Sequence, residues 1–275
     1  MWAQWLASAL EWDRTIIANM DETALPYQIP RRHGNALRAR QDADANVALH
    51  ERIGRRASHG HVALVAFLAT DETLQAHLPQ LVLVKDEQMS RAEETRLAAP
   101  SQPVEWMQGA NGRVTATNLP AILTRFRRAI RAVRSHRRIV LCMDAASQHL
   151  ATEVLGHAAR LQVQLLLVPA GMTHVLQALD VYVFASLKRR LRDLQHRARG
   201  SARDGQLTGM QWIEIMEEGV REVLVDRQWP RAVASCGLTG NTQELRARLC
   251  PLVAGQLPLP PTKSCSALQG SAGWA

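Results

Sequence analysis

Short apolar runs, each closed by polar or turn-forming residues, predict the β-strands of this chain. They lie at residues 15–20, 61–70, 81–85, 138–143 and 163–168. The run at 139–143 holds five consecutive apolar residues, which is too short for a globular helix and typical of a strand buried on both faces. We therefore expect this strand to lie near the centre of a sheet.

Apolar residues that recur every three or four positions predict the helices. They span about 118–135, 151–161, 177–199, 208–226 and 227–254, with a short amphipathic helix at 1–12 that is expected to dock on the core. The polar face of the 118–135 helix is rich in arginine. That face is either solvated or in contact with DNA, and solvation is the simpler explanation.

The order of the elements is three strands joined by non-helical connections, followed by alternating helices and strands. The first part indicates an antiparallel meander, and the second indicates parallel additions to the same sheet. This order predicts an α/β protein with an RNase H-like fold, in which a mixed sheet of about five strands is flanked by helices. The expected segments are an N-terminal helix at 1–12, the RNase H-like domain at 13–200, a helical extension at 201–254 and a disordered tail at 255–275.

Two polar stretches interrupt the pattern. Residues 29–60 are rich in arginine and predict a long basic loop or hairpin, which is either a solvated surface segment or an arm that contacts phosphates. Residues 86–117 carry prolines and glycines among polar residues and predict irregular structure.

Composition narrows the choice of partner and compartment. The 275 residues carry a net charge of +8, which favours an anionic partner, with nucleic acid ahead of an acidic membrane surface. The four cysteines show neither a Cys-x-x-Cys pair nor zinc-ligand spacing, which suits the cytosol or nucleus. Because no apolar run approaches the roughly 20 residues of a membrane span, we expect no membrane partner.

Three aspartates stand where a sheet protein can gather side chains. Asp21 ends the first strand, Asp144 ends the central strand, and Asp180 falls in the first turn of the long helix. Each has a simpler explanation, since an acid after a strand commonly caps a helix and an acid in a first turn complements the helix dipole. If the two strands are neighbours, however, the three carboxylates converge.

Converging carboxylates repel one another and raise each other's pKa unless a cation lies between them. Hard divalent cations prefer oxygen ligands, so this grouping indicates Mg²⁺ or Mn²⁺. Two such ions about 3.5–4 Å apart stabilise the attacking and leaving oxygens of an in-line phosphoryl displacement. The substrate expected of a basic protein with this site is DNA or RNA.

Three ordered segments around these acids resemble one known family. They are residues 19–23, 141–149 and 167–181. Together with Phe184 and Lys188, and with 35 residues between Asp144 and Asp180, they are similar to the DDE superfamily endonuclease domain. This is the catalytic domain of pogo/mariner-type transposases, shared with Jerky and centromere-protein-B relatives. The resemblance spans roughly residues 13–240.

The resemblance implies that Asp21, Asp144 and Asp180 are catalytic and bind metal, with two Mg²⁺ or Mn²⁺ ions expected. Asp21 and Asp144 would hold the ions between them, and Asp180 would complete the shell of one. Water would cleave a DNA phosphodiester, and the freed 3′-hydroxyl would attack target DNA. A nuclear, DNA-binding protein that assembles as a homo-oligomer on DNA follows from the same resemblance.

Four more residues match motif positions and receive supporting or substrate-side roles: His149, Thr173, Gln177 and Lys188. A structural cap or turn explains the first three equally well. Glu22 matches too, although a solvated residue past a strand end is its simpler explanation.

Departures from the family pattern support a second hypothesis. Ala145 stands where the family often has Asn, and Ala178 stands where its third motif usually has Pro. Family members normally carry helix-turn-helix modules ahead of this domain, whereas this sequence has only 20 residues before Asp21. The alternative is a catalytically silent or domesticated nucleic-acid-binding remnant that lacks its N-terminal DNA-binding modules. A third hypothesis is an RNase H-type nuclease that acts on RNA–DNA hybrids.

Overall fold

A mixed sheet of six strands forms the centre of the protein in this computed structural model, which describes residues 15–27, 60–85, 104–108, 112–201, 207–238, 245 and 249. The strands are β1 (Thr15–Tyr27), β2 (Gly60–Ala69), β3 (Gln80–Val84), β4 (Val104–Gln108), β5 (Arg138–Asp144) and β6 (Val163–Val168). Their order across the sheet is β4-β3-β2-β1-β5-β6.

Strand directions follow the predicted plan. β1 pairs antiparallel with β2, and β2 pairs antiparallel with β3, which is the expected meander. β5 pairs parallel with β1, and β6 pairs parallel with β5. The apolar strand that ends in Asp144 therefore lies inside the sheet, with a partner on each side.

The sixth strand, β4, was not predicted, so the expectation of irregular structure is wrong for residues 104–108. β4 pairs parallel with β3 at the edge of the sheet. Of its five residues only Val104 is buried, while Glu105, Trp106 and Met107 are half-buried. An edge strand with one covered residue lacks the continuous apolar run that marks the inner strands.

Seven helices are described. They are α1 (Glu72–Gln75), α2 (Leu119–Val133), α3 (Thr152–Arg160), α4 (Thr173–Leu176), α5 (Phe184–Ser201), α6 (Gly209–Val220) and α7 (Pro230–Ser235). One π-helical turn, Leu179–Val183, precedes α5, and a second, Arg221–Val225, follows α6. The helices predicted at 118–135 and 151–161 are confirmed, and the one at 208–226 is α6 followed by the second π turn. The single helix predicted at 227–254 is wrong, because residues 227–229 and 236–238 are not helical and α7 covers only Pro230–Ser235 between them. The single helix predicted at 177–199 is instead a π turn followed by α5.

Two apolar layers cover the two faces of the sheet. Alternation along β1 sends Ile16, Ala18 and Met20 towards α2 and α3, where Phe67 stacks on Phe126 with 4.7 Å between ring centroids. Ile17 faces the other layer, which α4 to α7 complete. The helices beyond residue 207 belong to this second layer and share its core with α5.

Three predicted segments lie outside the described residues: the N-terminal helix at 1–12, nearly all of the basic stretch at 29–60, and the tail at 255–275. Within the described segments, no helix combines the length and the apolar character needed to cross a membrane.

Candidate active site

Asp21 and Asp144 lie on the two neighbouring strands at the centre of the sheet. Asp144 is the last residue of β5, as predicted. Asp21 does not end its strand, because β1 continues to Tyr27 in antiparallel pairing with β2. It lies two residues beyond Asn19, the last β1 residue paired with β5. Both acids therefore lie near the same end of the β1–β5 pair.

Alternation along the strands sets the face towards which the two acids point. Asp21 shares its side of β1 with Ile17, and Asp144 shares its side of β5 with Cys142. Ile17 and Cys142 both belong to the apolar layer under α4 to α7. The same layer carries Asp180, so the topology gathers three acids from two strands and one helical segment.

Asp180 lies in the π-helical turn that precedes α5 rather than in a first α-helical turn. The side chain is exposed, whereas Leu179 and Val183 of the same turn are buried. A π turn inserts one extra residue into a helix, and such turns are frequent at functional sites. The turn thus seats its apolar residues in the core and leaves the carboxylate at the surface of the site.

Asp21 lies near enough to both other acids to feel their negative charge. Its Oδ1 accepts a hydrogen bond from the Glu22 amide at 2.8 Å, and its buried Oδ2 has no hydrogen-bond partner among the described residues. Burial raises the pKa of Asp21 to about 8, together with the negative charges of Asp180 and Asp144. A carboxyl so placed holds a proton at neutral pH unless another cation replaces it.

These groups fit a hard divalent cation. The donor set consists of carboxylate oxygens, and the unpaired Oδ2 of Asp21 is a free acceptor that faces further negative charge. Among the described residues, no group of three or more His, Cys, Asp or Glu side chains is already gathered tightly enough to count as a metal cluster. A cation would therefore have to draw the three carboxylates together as it replaced the proton.

A buried histidine joins Asp144 to a fourth acid. His149 is 2 % exposed, and its Nδ1 lies 2.5 Å from Asp144 Oδ1 while its Nε2 lies 3.1 Å from Glu22 Oε1. Burial disfavours the charged ring, but the contacts with Glu22 and Asp144 outweigh burial and raise the pKa of His149. The solvated position expected for Glu22 is wrong, because Glu22 is part of this network. His149 is placed to support the acids and has almost no surface for a substrate.

The remaining predicted residues lie around the helical side of the site. Thr173 opens α4, and its carbonyl accepts the Gln177 amide at 3.0 Å. Gln177 is fully buried, and neither polar atom of its side chain has a partner in the described part of the chain, so its substrate-side role stays a prediction. Lys188 is exposed on α5 and stays a substrate-side prediction.

Sequence reasoning missed Asn19 as a site residue. Its buried side chain donates to the Cys142 carbonyl at 3.1 Å and accepts from the Leu179 amide at 3.0 Å. Asn19 lies in β1 and contacts both β5 and the π turn. It therefore links the three elements that carry the acids. The available signal was a polar residue inside an otherwise apolar strand.

Comparison with known proteins gives a family and a fold. Residues 62–212 match the family described as DDE superfamily endonuclease, a region that contains Asp144 and Asp180 and begins after Asp21. A search of curated proteins finds no match. The structure of the Mos1 transposase catalytic domain with raltegravir and Mg matches at 13% identity and a TM-score of 0.50, over 94% of this chain and 92% of that one.

Two further structures contain longer Mos1 chains. The Mos1 transposase paired-end complex with left transposon end matches at 18% identity and a TM-score of 0.41, over 86% of this chain and 60% of that one. The Mos1 mariner paired end complex with Mn matches at 16% identity and a TM-score of 0.41, over 87% and 60%. The chain thus spans 60% of the Mos1 transposase in these complexes. The likeness to the Mos1 catalytic domain shows an RNase H-like fold, with one strand more than predicted.

Proposed function

The chain belongs to the DDE superfamily endonuclease family, and from that premise we propose that it is a transposase-type catalytic domain that cleaves DNA phosphodiester bonds and transfers a DNA strand. The proposal includes a nuclear location and assembly as a homo-oligomer on DNA.

The observation that carries the proposal is the state of Asp21. A buried carboxylate with an unpaired oxygen, beside two further acids, is unfavourable in a protein that has no use for it. The same arrangement becomes favourable when a divalent cation enters. The Mos1 catalytic domain has been solved with Mg, which supports this choice of ion.

Within this proposal Asp21, Asp144 and Asp180 hold two Mg²⁺ or Mn²⁺ ions. When bound, the metal supplies activation of water or a 3′-hydroxyl and stabilisation of the leaving oxygen. His149 keeps the Asp144 carboxylate in place from behind. Lys188 lies eight residues after Asp180, exposed on α5, where its ammonium can contact a DNA phosphate.

Nicking of supercoiled DNA in Mn²⁺ tests the proposal. We expect nicking by the wild type and a loss of at least about 100-fold in Asp144→Asn, since the amide has the same shape but no charge for the metal. Asp226→Asn is the matched control, because Asp226 is an exposed aspartate at the end of the second π turn and is not one of the three acids. Equal nicking by wild type and Asp144→Asn would remove Asp144 from the mechanism.

The silent-remnant alternative rests on two observations. The described acids do not form a ready metal cluster, and Ala145 and Ala178 depart from the family motifs. Calorimetry with Mn²⁺ separates the hypotheses. If the wild type binds Mn²⁺ and Asp21→Asn does not, the result supports the enzyme. If the wild type and Asp21→Asn give equal heats, the result supports the remnant.

Substrate choice decides between the transposase and RNase H-type hypotheses. Competition between duplex DNA and an RNA–DNA hybrid of the same sequence should favour the duplex for a transposase-type domain. Preferential cleavage of the RNA strand would favour the RNase H-type reading.

A further inference from the structure

Asn19 is a buried polar side chain that joins three separate elements. It is fully buried in β1, its Nδ2 donates to the carbonyl of Cys142 in β5 at 3.1 Å, and its Oδ1 accepts from the amide of Leu179 at 3.0 Å. A longer contact of 3.4 Å joins Nδ2 to the Met20 carbonyl. A buried amide is costly unless it is satisfied in this way.

The Leu179 amide is a donor that its own helix does not satisfy. The first amides of a helix have no intrahelical acceptor, and the residue before the π turn, Ala178, provides no side-chain cap. The acceptor comes instead from Asn19, 160 positions earlier in the chain. The start of the turn is therefore capped from the sheet, directly before Asp180.

The geometry relates this cap to all three acids. Asn19 is two residues from Asp21 on the same side of β1, and Cys142 is two residues from Asp144 on the same side of β5. Leu179 is the immediate neighbour of Asp180. Each hydrogen-bond partner of the Asn19 amide thus lies one or two residues from an acid.

We propose that Asn19 is the positioning residue that fixes the Asp180 turn against the two strands, so that the three carboxylates can share one cation. The structural part of this inference stands on the hydrogen bonds alone, and its consequence for metal and DNA rests on the function proposed above. Asn19 itself has no exposed surface and acts only through its neighbours.

Amide hydrogen exchange of Leu179 tests the structural part without metal or substrate. We expect exchange at least about tenfold faster in Asn19→Leu, which has a similar shape but no acceptor, because local opening governs exchange. Asn19→Asp keeps an acceptor oxygen and should restore the protection. The control is Gln80→Met, since Gln80 is fully buried and bonds to both backbone groups of Phe67, between β3 and β2.

Unchanged exchange at Leu179 in Asn19→Leu, or acceleration equal to that in Gln80→Met, would overturn the proposal. If Asn19→Leu does not fold, Asn19→Asp and Asn19→Ala give the same comparison between variants with and without an acceptor.

Mn²⁺ calorimetry and nicking then test the consequence at temperatures well below melting. Loss of a group that orients metal ligands typically costs about 10–100-fold in metal affinity or activity, and we expect such a loss in Asn19→Leu but less than about threefold in Gln80→Met. A wild type that binds no Mn²⁺ and nicks no DNA would refute the proposed function, while the exchange result would still decide the role of Asn19. Faster exchange with unchanged Mn²⁺ affinity would show that Asn19 caps the turn without positioning Asp180.

Discussion

At the scale of single residues, Asp21 dominates the behaviour of the metal-free site. Its carboxyl is buried beside Asp180 and Asp144, and its pKa is raised from 3.8 to about 8. The folded state therefore keeps a proton that the unfolded chain loses above about pH 4. The free energy of unfolding therefore falls as the pH rises from about 4 to about 8. The full cost of ionising Asp21 in the folded protein is present only above pH 8.

Asp21→Asn should therefore stabilise the metal-free protein, because the amide keeps the shape of the protonated carboxyl and carries no charge. We expect no gain at pH 3.5 and a gain of more than about 1.4 kcal/mol at pH 8.5, the equivalent of a single pKa unit. Urea unfolding in the presence of EDTA measures this difference. Mn²⁺ should stabilise only the wild type and so make it more stable than Asp21→Asn. If Asp21→Asn is less stable than the wild type at pH 8.5 without metal, the charge of Asp21 does not destabilise the metal-free fold.

For His149, unlike Asp21, the folded state favours the charged form of the side chain. Its pKa is raised above 6.5 by Glu22 and Asp144 despite burial, so its stabilising contribution is complete below pH 6.5 and is lost as pH rises through the folded value. His149→Gln should lower the free energy of unfolding by about 1–3 kcal/mol at pH 5.5 and by clearly less at pH 9. Urea unfolding at the two pH values measures it, and a loss independent of pH would show that the ring acts only as a neutral donor.

Residue identities and residue contacts were not equally predictable. The three acids could be found because each follows an apolar run or opens a helical pattern and matches a motif. The role of Asn19 could not, since it depends on a hydrogen bond to a residue 160 positions away. Glu22 was misjudged for the same reason, because its partner His149 is 127 positions away. Contacts between distant segments leave no trace in local periodicity.

At the scale of elements, the inner strands and long helices were predictable because burial on both faces, or on one helical stripe, leaves a regular apolar pattern. The π turn at Leu179–Val183 was not, because one inserted residue barely disturbs helical spacing over a single turn. β4 was missed because an edge strand of five residues with one buried side chain has no such pattern.

Helix packing beneath the site brings α5 very close to α6. A Cβ added to Gly219 of α6 would lie 2.6 Å from Leu191 Cδ2 and 3.3 Å from its Cγ, in the buried layer. Arg190 of α5 forms a two-point ion pair with Glu222, with Nη2 2.6 Å from Oε1, which further ties α5 to the second π turn. The absence of a side chain at Gly219 therefore allows the close approach of α5, the helix that continues from the Asp180 turn.

Gly219→Ala should lower the free energy of unfolding by about 1–3 kcal/mol, the usual cost of overpacking, despite the better helix propensity of alanine. Gly156→Ala is the matched control, because the one described atom that a Cβ there meets within 4 Å is Arg160 Nη1 of α3, at 3.7 Å. That substitution should stabilise the protein by about 0.5–1 kcal/mol. Thermal and urea unfolding of both variants provide the measurement, and a stabilising Gly219→Ala would mean that Leu191 moves aside without cost.

At the scale of the whole molecule, exposed basic residues lie at different distances from the three acids. One pair lies on α5, and another lies at the start of β5. Lys188 and Arg192 are exposed on α5, and Arg192 Nε donates to the Lys188 carbonyl at 3.2 Å, so its guanidinium lies back towards the Asp180 end. Arg137 and Arg138 are exposed where β5 begins. A strand of seven residues separates that end from Asp144 by about 20 Å.

This difference in position allows a charge-matched test of how DNA reaches the site. A plot of log binding constant against log salt concentration has a negative slope, and each phosphate contact that is lost reduces the magnitude of this slope by about one. We expect the double variant Lys188→Gln, Arg192→Gln to reduce the magnitude of the slope by about two and to nick DNA more slowly. Arg137→Gln with Arg138→Gln removes the same charge and should change both by much less. Fluorescence anisotropy with duplex DNA at 50–200 mM salt gives the slopes, and equal effects of the two double variants would mean that net charge alone, rather than α5, delivers the substrate.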